Sequence, residues 1–199
     1  MKKYKFFVQT VLIVVSAFLF FQNIGAQSRV DRILIDEAAR VSGDEFPFFS
    51  NTPRGARVYA VNRPTSIMLA AIDKGLEDLF AVAKKNNYFK RLNFSDYTIF
   101  IARPDRLRDV NNQYSPDIAV GAAQYVGSIY DKGGYIYAAG MVLAFNPCAF
   151  VVGEHTKNFE RVSEVVRYEG EHLVLYHNDR RFYNKTLDHS KGGGHPILQ

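Results

Sequence analysis

The chain has a single cysteine and no tryptophan in 199 residues. One cysteine excludes an internal disulfide, so the fold has to be held together by an ordinary core. Cys148 follows an apolar strand candidate, which predicts a small buried side chain. The alternative is a catalytic thiol, which requires an exposed and electropositive setting.

Dense positive charge is also missing. The formal net charge is +5, and it falls to +2 once the three lysines of the first five residues are removed. Two basic stretches, Arg106–Asp109 and Asp179–Arg181, are short and contain both signs of charge. We find no lysine- and arginine-rich block with interleaved aromatics, no internal repeat and no low-complexity tract. The sequence therefore predicts no nucleic-acid partner.

The one long apolar run lies at the start of the chain. Three lysines precede Phe6–Phe21, and small residues ending at Ala26 follow it. This pattern is typical of a secretory signal peptide, and the run is shorter than the roughly 20 residues of a spanning helix. We predict a signal peptide at 1–26, a single domain at 27–199, and a secreted or periplasmic protein without stable membrane association. The alternative is an uncleaved N-terminal anchor.

Hydrophobic periodicity predicts an α+β fold. The predicted helices are Ser28–Ser42, Thr65–Asn87 and Glu160–Asp179. The predicted strands are Arg57–Asn62, Tyr97–Ala102, Gln124–Tyr130, a returning strand Tyr135–Phe145 and Ala149–Gly153. This order indicates a mixed, mostly antiparallel sheet packed against two long helices. Gly75 inside the long helix predicts that another backbone approaches it closely.

All five histidines of the chain lie in its C-terminal quarter, and two of them are on the helix Glu160–Asp179. Glu169 and His172 are three residues apart, so their side chains point to one side of a helix. A carboxylate and an imidazole on adjacent turns can bind one metal ion, or act as a base beside a metal-bound water. His172 and His177 are five apart and diverge by about 140°. They can share a metal only if the helix ends or bends near Tyr176.

The C-terminal tail offers further imidazoles. His189 and His195 flank a run of three glycines at 192–194. Glycine gives the backbone the freedom to fold back toward the helix. A tail histidine brought to Glu169 and His172 would complete a three-ligand site with an open position for water.

The segment Tyr168-Glu169-Gly170-Glu171-His172 resembles the zinc-binding H-E-x-x-H helix of zincin metallopeptidases. The order long helix, strand, hairpin, strand and active helix also resembles the minimal zincin core. The resemblance implies that His172 is a zinc ligand and that Glu169 is the general base. Tyr168 stands where the first histidine of the motif would be. The missing ligands would come from His177, Asp179, His189 and His195.

Two hypotheses follow from these residues. The first is a secreted zinc-dependent hydrolase acting on peptides, with Glu169 as base and Tyr168 hydrogen-bonding a developing oxyanion. Its zinc ligands would be His172 with His195 or His189, and His177 if the helix bends. The second is a non-catalytic secreted module that keeps a zincin-like frame and binds a partner or a small ligand. In that case the polar residues of the helix and the tail are structural.

Overall fold

The computed structural model describes residues 29–105, 112, 116–121, 134–188 and 194–199. The predicted signal peptide, the predicted strand Gln124–Tyr130 and His189 lie outside the described residues. The chain divides into 1–33 and a compact unit of 34–199, and both sheets belong to that unit. No helix among the described residues is both long and apolar enough to cross a membrane.

Four helices and seven strands make up the described part of the chain. The helices are α1 (Arg29–Ser42), α2 (Ser66–Lys85), α3 (Phe159–Asn178) and α4 (Arg180–Thr186), with a 3-10 turn at Phe94–Asp96. The strands are β1 (Phe48–Asn51), β2 (Arg57–Ala60), β3 (Tyr97–Ala102), β4 (Ile118–Gly121), β5 (Tyr135–Ala138), β6 (Gly140–Phe145) and β7 (Cys148–Gly153). The predicted α+β class is confirmed.

Both long helices begin at side chains that cap their first turn. The Thr65 hydroxyl accepts a hydrogen bond from the Met68 N–H, and the Asn158 side chain accepts one from the Arg161 N–H. Such caps satisfy N–H groups that have no partner inside the helix. The observed bounds of α2 and α3 agree with the predicted helices to within two residues.

The main sheet has five strands in the order β1-β2-β3-β7-β6. The pairs β1/β2 and β7/β6 are antiparallel, whereas β2/β3 and β3/β7 are parallel. The sheet is therefore mixed as predicted, but two of its four pairings are parallel, so the expected antiparallel majority is not found in it. A separate antiparallel pair is formed by β4 and β5.

Both faces of the five-stranded sheet are covered. Ile99 and Ile101 of β3 point into a cluster with α2 and α3, whereas Phe100 points into a second cluster with α1, β4 and β5. Every residue of β3 and β7 is buried. Central strands covered on both faces read as continuous apolar runs, which explains their sequences.

The predicted returning strand Tyr135–Phe145 is wrong as one continuous element. It ends as β5 at Ala138 and resumes as β6 at Gly140, because β5 pairs with β4 and β6 pairs with β7. The pairing of β6 with β7 has a register irregularity between Val142 and Ala144. The break at residue 139 lets one segment leave the small sheet and become the edge strand of the large one.

Close packing of α2 against α3 depends on two glycines. A Cβ on Gly75 would lie 2.8 Å from the Val166 Cβ and closer still to the Ser163 carbonyl oxygen. A Cβ on Gly170 would overlap the Leu79 side chain. The Ser163 hydroxyl also donates a hydrogen bond to the Ala71 carbonyl across the interface, at 2.8 Å. The predicted close approach at Gly75 is confirmed.

We expect Gly75→Ala to lower the free energy of unfolding by up to about 2 kcal/mol. Overpacking costs about 1–3 kcal/mol, which outweighs the gain of about 1 kcal/mol from better helix propensity. Urea denaturation measures the difference. Gly121→Ala is the matched control, because the nearest atom to its added Cβ is 3.9 Å away. A Gly75→Ala protein as stable as wild type would show that the helices do not need this contact.

Candidate active site

Helix α3 presents one face to a cavity of about 760 Å³. Its residues at the cavity are spaced three or four apart, or adjacent, as expected for a single helical face. They are Arg161, Val165, Tyr168, Glu169 and His172. The opposite wall is formed by 136–142 and Phe145, and the remaining lining comes from Tyr183, Leu187, Asp188 and His195. The sequence-predicted residues Tyr168, Glu169, His172 and His195 thus share one cavity.

Glu169 lies directly against the edge strand β6. A Cβ on Gly140 would lie 2.8 Å from the Glu169 Cγ and 3.0 Å from its Oε1, so only glycine permits this approach. Burial raises the pKa of Glu169 to about 8. Among the described residues no cation forms an ion pair with this carboxylate. Its environment therefore favours the protonated form near neutral pH, which is the behaviour of a group that can exchange a proton there.

His195 is held between two aromatic neighbours of α3. Its ring stacks on Tyr168 with centroids 4.9 Å apart and meets the His172 ring edge to face at 5.0 Å. The chain therefore folds back after its glycine run, as predicted, and brings the imidazole of residue 195 to that of residue 172. His189, the other tail histidine of the prediction, is not among the described residues.

The tail is attached through Glu171, a residue that the sequence analysis did not single out. Its carboxylate is fully buried, lies 3.1 Å from His195 Nδ1 and accepts a hydrogen bond from the Ile197 N–H at 2.8 Å. The sequence does contain an indication that Glu171 is buried and paired. Glu171 lies three and four positions before Val174 and Leu175, so it shares their apolar stripe, where a charged residue requires buried partners.

His177 is not brought to the cavity. Its Nε2 is 2.6 Å from the Phe145 carbonyl oxygen, and it is not among the lining residues. The condition for a shared metal, a helix that ends or bends near Tyr176, is not met because α3 continues to Asn178. His177 and His172 therefore diverge as the spacing on a regular helix requires. Asp179 caps α4 by accepting from the Phe182 N–H.

Cys148 and His155 are buried apart from the cavity lining. Burial raises the pKa of Cys148 to about 12, so its thiol stays protonated at neutral pH. This supports the prediction of a small buried side chain. Burial also lowers the pKa of His155, whose Nε2 makes no hydrogen bond within the described part of the chain.

Within the described ranges, no group of three or more His, Cys, Asp or Glu side chains is arranged to hold a metal ion. The cavity brings together two imidazoles, His172 and His195, and the carboxylate of Glu169. In the terms of the zincin resemblance, these groups would correspond to two metal ligands and one base. The sequence matches no protein-family model, no curated protein and no solved structure.

The position of Glu169 predicts a pH dependence of stability for the metal-free protein. Its folded pKa of about 8 lies above the ordinary value of 4.5. The folded state therefore binds the extra proton between these values, and the free energy of unfolding falls as pH rises through this window. We expect a loss of about 2 kcal/mol by about pH 9, which is less than the full effect of the pKa shift because Glu169 borders a cavity rather than a closed core.

Glu169→Gln removes that charge and should abolish the loss. Urea denaturation of chelator-treated protein measures this loss at about pH 5, near the unfolded pKa, and at about pH 9, above the folded pKa. Glu164→Gln is the matched control, because Glu164 lies on the same helix, is 45% exposed and pairs with Arg161. Parallel pH profiles for wild type and Glu169→Gln would contradict the prediction.

Proposed function

We propose that the protein is an exported, zincin-like metal-dependent hydrolase that acts on peptides, with Glu169 as its general base. The observation that supports this most is the convergence of Glu169, His172 and His195 on one cavity. The chain order α2, β3, β7 and α3 is the part of the zincin-like order (long helix, strand, hairpin, strand, active helix) that the described residues contain; the first strand of the predicted hairpin, Gln124–Tyr130, lies outside them. Export follows from the predicted signal peptide.

The centroid separation of the two imidazoles is that of two ligands of one metal ion, although their edge-to-face contact would have to open for both nitrogens to reach it. Two histidines bound to one tetrahedral zinc at about 2.1 Å have ring centroids about 5 Å apart. The His172 and His195 centroids are 5.0 Å apart and their planes are nearly perpendicular. His189 remains the predicted third ligand, in place of the histidine that Tyr168 replaces. His177 is not part of this proposal, because its ring is engaged with Phe145.

Each side chain then has a defined task. A bound zinc would supply a Lewis acid and a water molecule with a pKa near 7. A nearby bound cation would favour the ionised Glu169 that a general base requires, whereas burial alone favours the protonated form. The carboxylate takes the proton of the attacking water and passes it to the leaving amine. The Tyr168 hydroxyl, on a ring kept in place by its stack on His195, donates to the developing oxyanion.

A peptide substrate is favoured by the strand beside the base. Among the described strands β6 is one of the two edges of the five-stranded sheet, and its residues 140–142 line the cavity. An edge strand offers backbone N–H and C=O groups to which an extended chain can add. A peptide bound in this way would run past Glu169 with its backbone held in register. The apolar lining, including Val142, Val165 and Leu187, suits a hydrophobic side chain.

Zinc content tests the metal part of the proposal. We expect stoichiometric zinc after reconstitution, measured by mass spectrometry of the native protein, and its loss in His172→Ala and His195→Ala. His189→Ala should weaken binding as well. His177→Ala is the control on the same helix and should retain zinc. Wild-type protein that takes up no zinc, and whose stability is unchanged by chelator, would overturn the proposal.

Activity tests the role of the base. Glu169→Gln should keep its zinc and lose about 10²–10⁴-fold in kcat on an unstructured peptide mixture, because removal of a general base has effects of this size. The matched control is again Glu164→Gln. Loss of zinc together with activity in Glu169→Gln would instead assign this carboxylate to metal binding.

The second candidate is an exported binding module without catalysis. It is favoured by Tyr168 at the position of the first zincin histidine and by the lack of a three-residue metal group among the described residues. In that case Glu171 and the tail are purely structural. Deleting the residues after Asp188 would then lower stability equally with and without zinc, and no peptide would be hydrolysed.

A further inference from the structure

The C-terminal segment 194–199 is bound to helix α3 through one carboxylate. Glu171 Oε2 accepts the Ile197 N–H at 2.8 Å and contacts His195 Nδ1 at 3.1 Å, while its Oε1 lies 3.4 Å from the Leu198 N. The side chain of Glu171 has no exposed surface. A buried carboxylate is tolerated when several donors replace its water, and here the tail supplies three.

Arg167 completes the attachment from the preceding turn of the helix. Its guanidinium donates to the Leu198 carbonyl at 2.8 Å and lies 3.5 Å from Glu171 Oε1. It therefore balances the buried charge and holds the backbone of the tail at the same time. The Leu198 side chain is 1% exposed and belongs to the main core cluster. The segment is thus fixed by charge, backbone hydrogen bonds and apolar burial together.

This attachment determines which nitrogen of His195 carries the proton. A carboxylate accepts hydrogen bonds and cannot donate them when ionised. The neutral imidazole therefore has to place its proton on Nδ1, which faces Glu171, and its lone pair on Nε2. The stack on Tyr168 at 4.9 Å and the contact with His172 fix the plane of the same ring.

We propose that Glu171 is a positioning residue that holds His195 in the cavity with Nε2 as its acceptor nitrogen. The C-terminal segment therefore belongs to the site, because it contributes His195. The inference rests on the proposed function for its catalytic meaning, since a metal-binding histidine commonly donates its other ring N–H to a carboxylate. The positioning itself depends only on the contacts among His195, Glu171 and the tail backbone.

Tautomer-sensitive ¹⁵N NMR of the ring tests the positioning directly. In metal-free wild-type protein, at a pH where the imidazole is neutral, we expect the Nδ1–H tautomer of His195. In Glu171→Gln an oxygen and an NH₂ replace two acceptor oxygens, so we expect the preference for Nδ1–H to weaken and the Nε2–H tautomer to become more populated. Glu164→Gln should leave the tautomer unchanged. A wild-type His195 with its proton on Nε2 would overturn the proposal and needs no variant.

Zinc affinity supplies the second readout. Glu171→Gln should bind zinc about 10–100-fold more weakly while retaining the same stoichiometry at saturation, as expected for loss of a group that orients a ligand. Equal affinity of wild type and Glu171→Gln, with zinc bound by both, would overturn the positioning role at the site. If wild type binds no zinc but the tautomer changes in the variant, the proposed function fails and the positioning by Glu171 is upheld.

Discussion

Helix α3 is fixed at close range on two sides, and each contact depends on a glycine. Gly75 and Gly170 remove side chains from the α2–α3 interface, so the two helices pack with backbone against side chain. Gly140 likewise has no side chain at the point where β6 lies against Glu169. Because packed interiors deform little, these contacts set the depth of the helix. They thereby set how far Glu169 and His172 reach into the cavity.

Two carboxylates on α3 have opposite environments although they are only two residues apart. Glu169 faces the cavity beside the backbone of β6 and has no cation partner among the described residues, so burial raises its pKa. Glu171 points about 200° away around the helix, where Arg167 and the tail surround it. One group is left able to exchange a proton, and the other is fully engaged in structure. Separation of roles by environment is a general device of acid–base sites.

Local features of the sequence could be predicted and long-range pairings could not. The bounds of α2 and α3 follow from apolar periodicity and capping residues, which act within a few positions. The division of residues 135–145 between two sheets depends on β4 and β7, which lie elsewhere in the chain. The parallel pairs on either side of β3 are likewise set by tertiary packing. No short stretch of sequence carries that information.

The histidines show the same limit within the candidate site. His177 is close to His172 in sequence yet ends at the Phe145 carbonyl, because a regular helix rotates it away. His195 is far from His172 in sequence yet ends beside it, because the tail folds back.

The glycine run indicated that such a return was possible. Its destination depends on Glu171 and the N–H groups of Ile197 and Leu198. Since almost every residue carries a backbone N–H, that half of the attachment leaves no mark in the sequence. The carboxylate of Glu171 is the part of the attachment that a sequence can reveal, because a glutamate on an apolar helix stripe is unusual and requires buried partners.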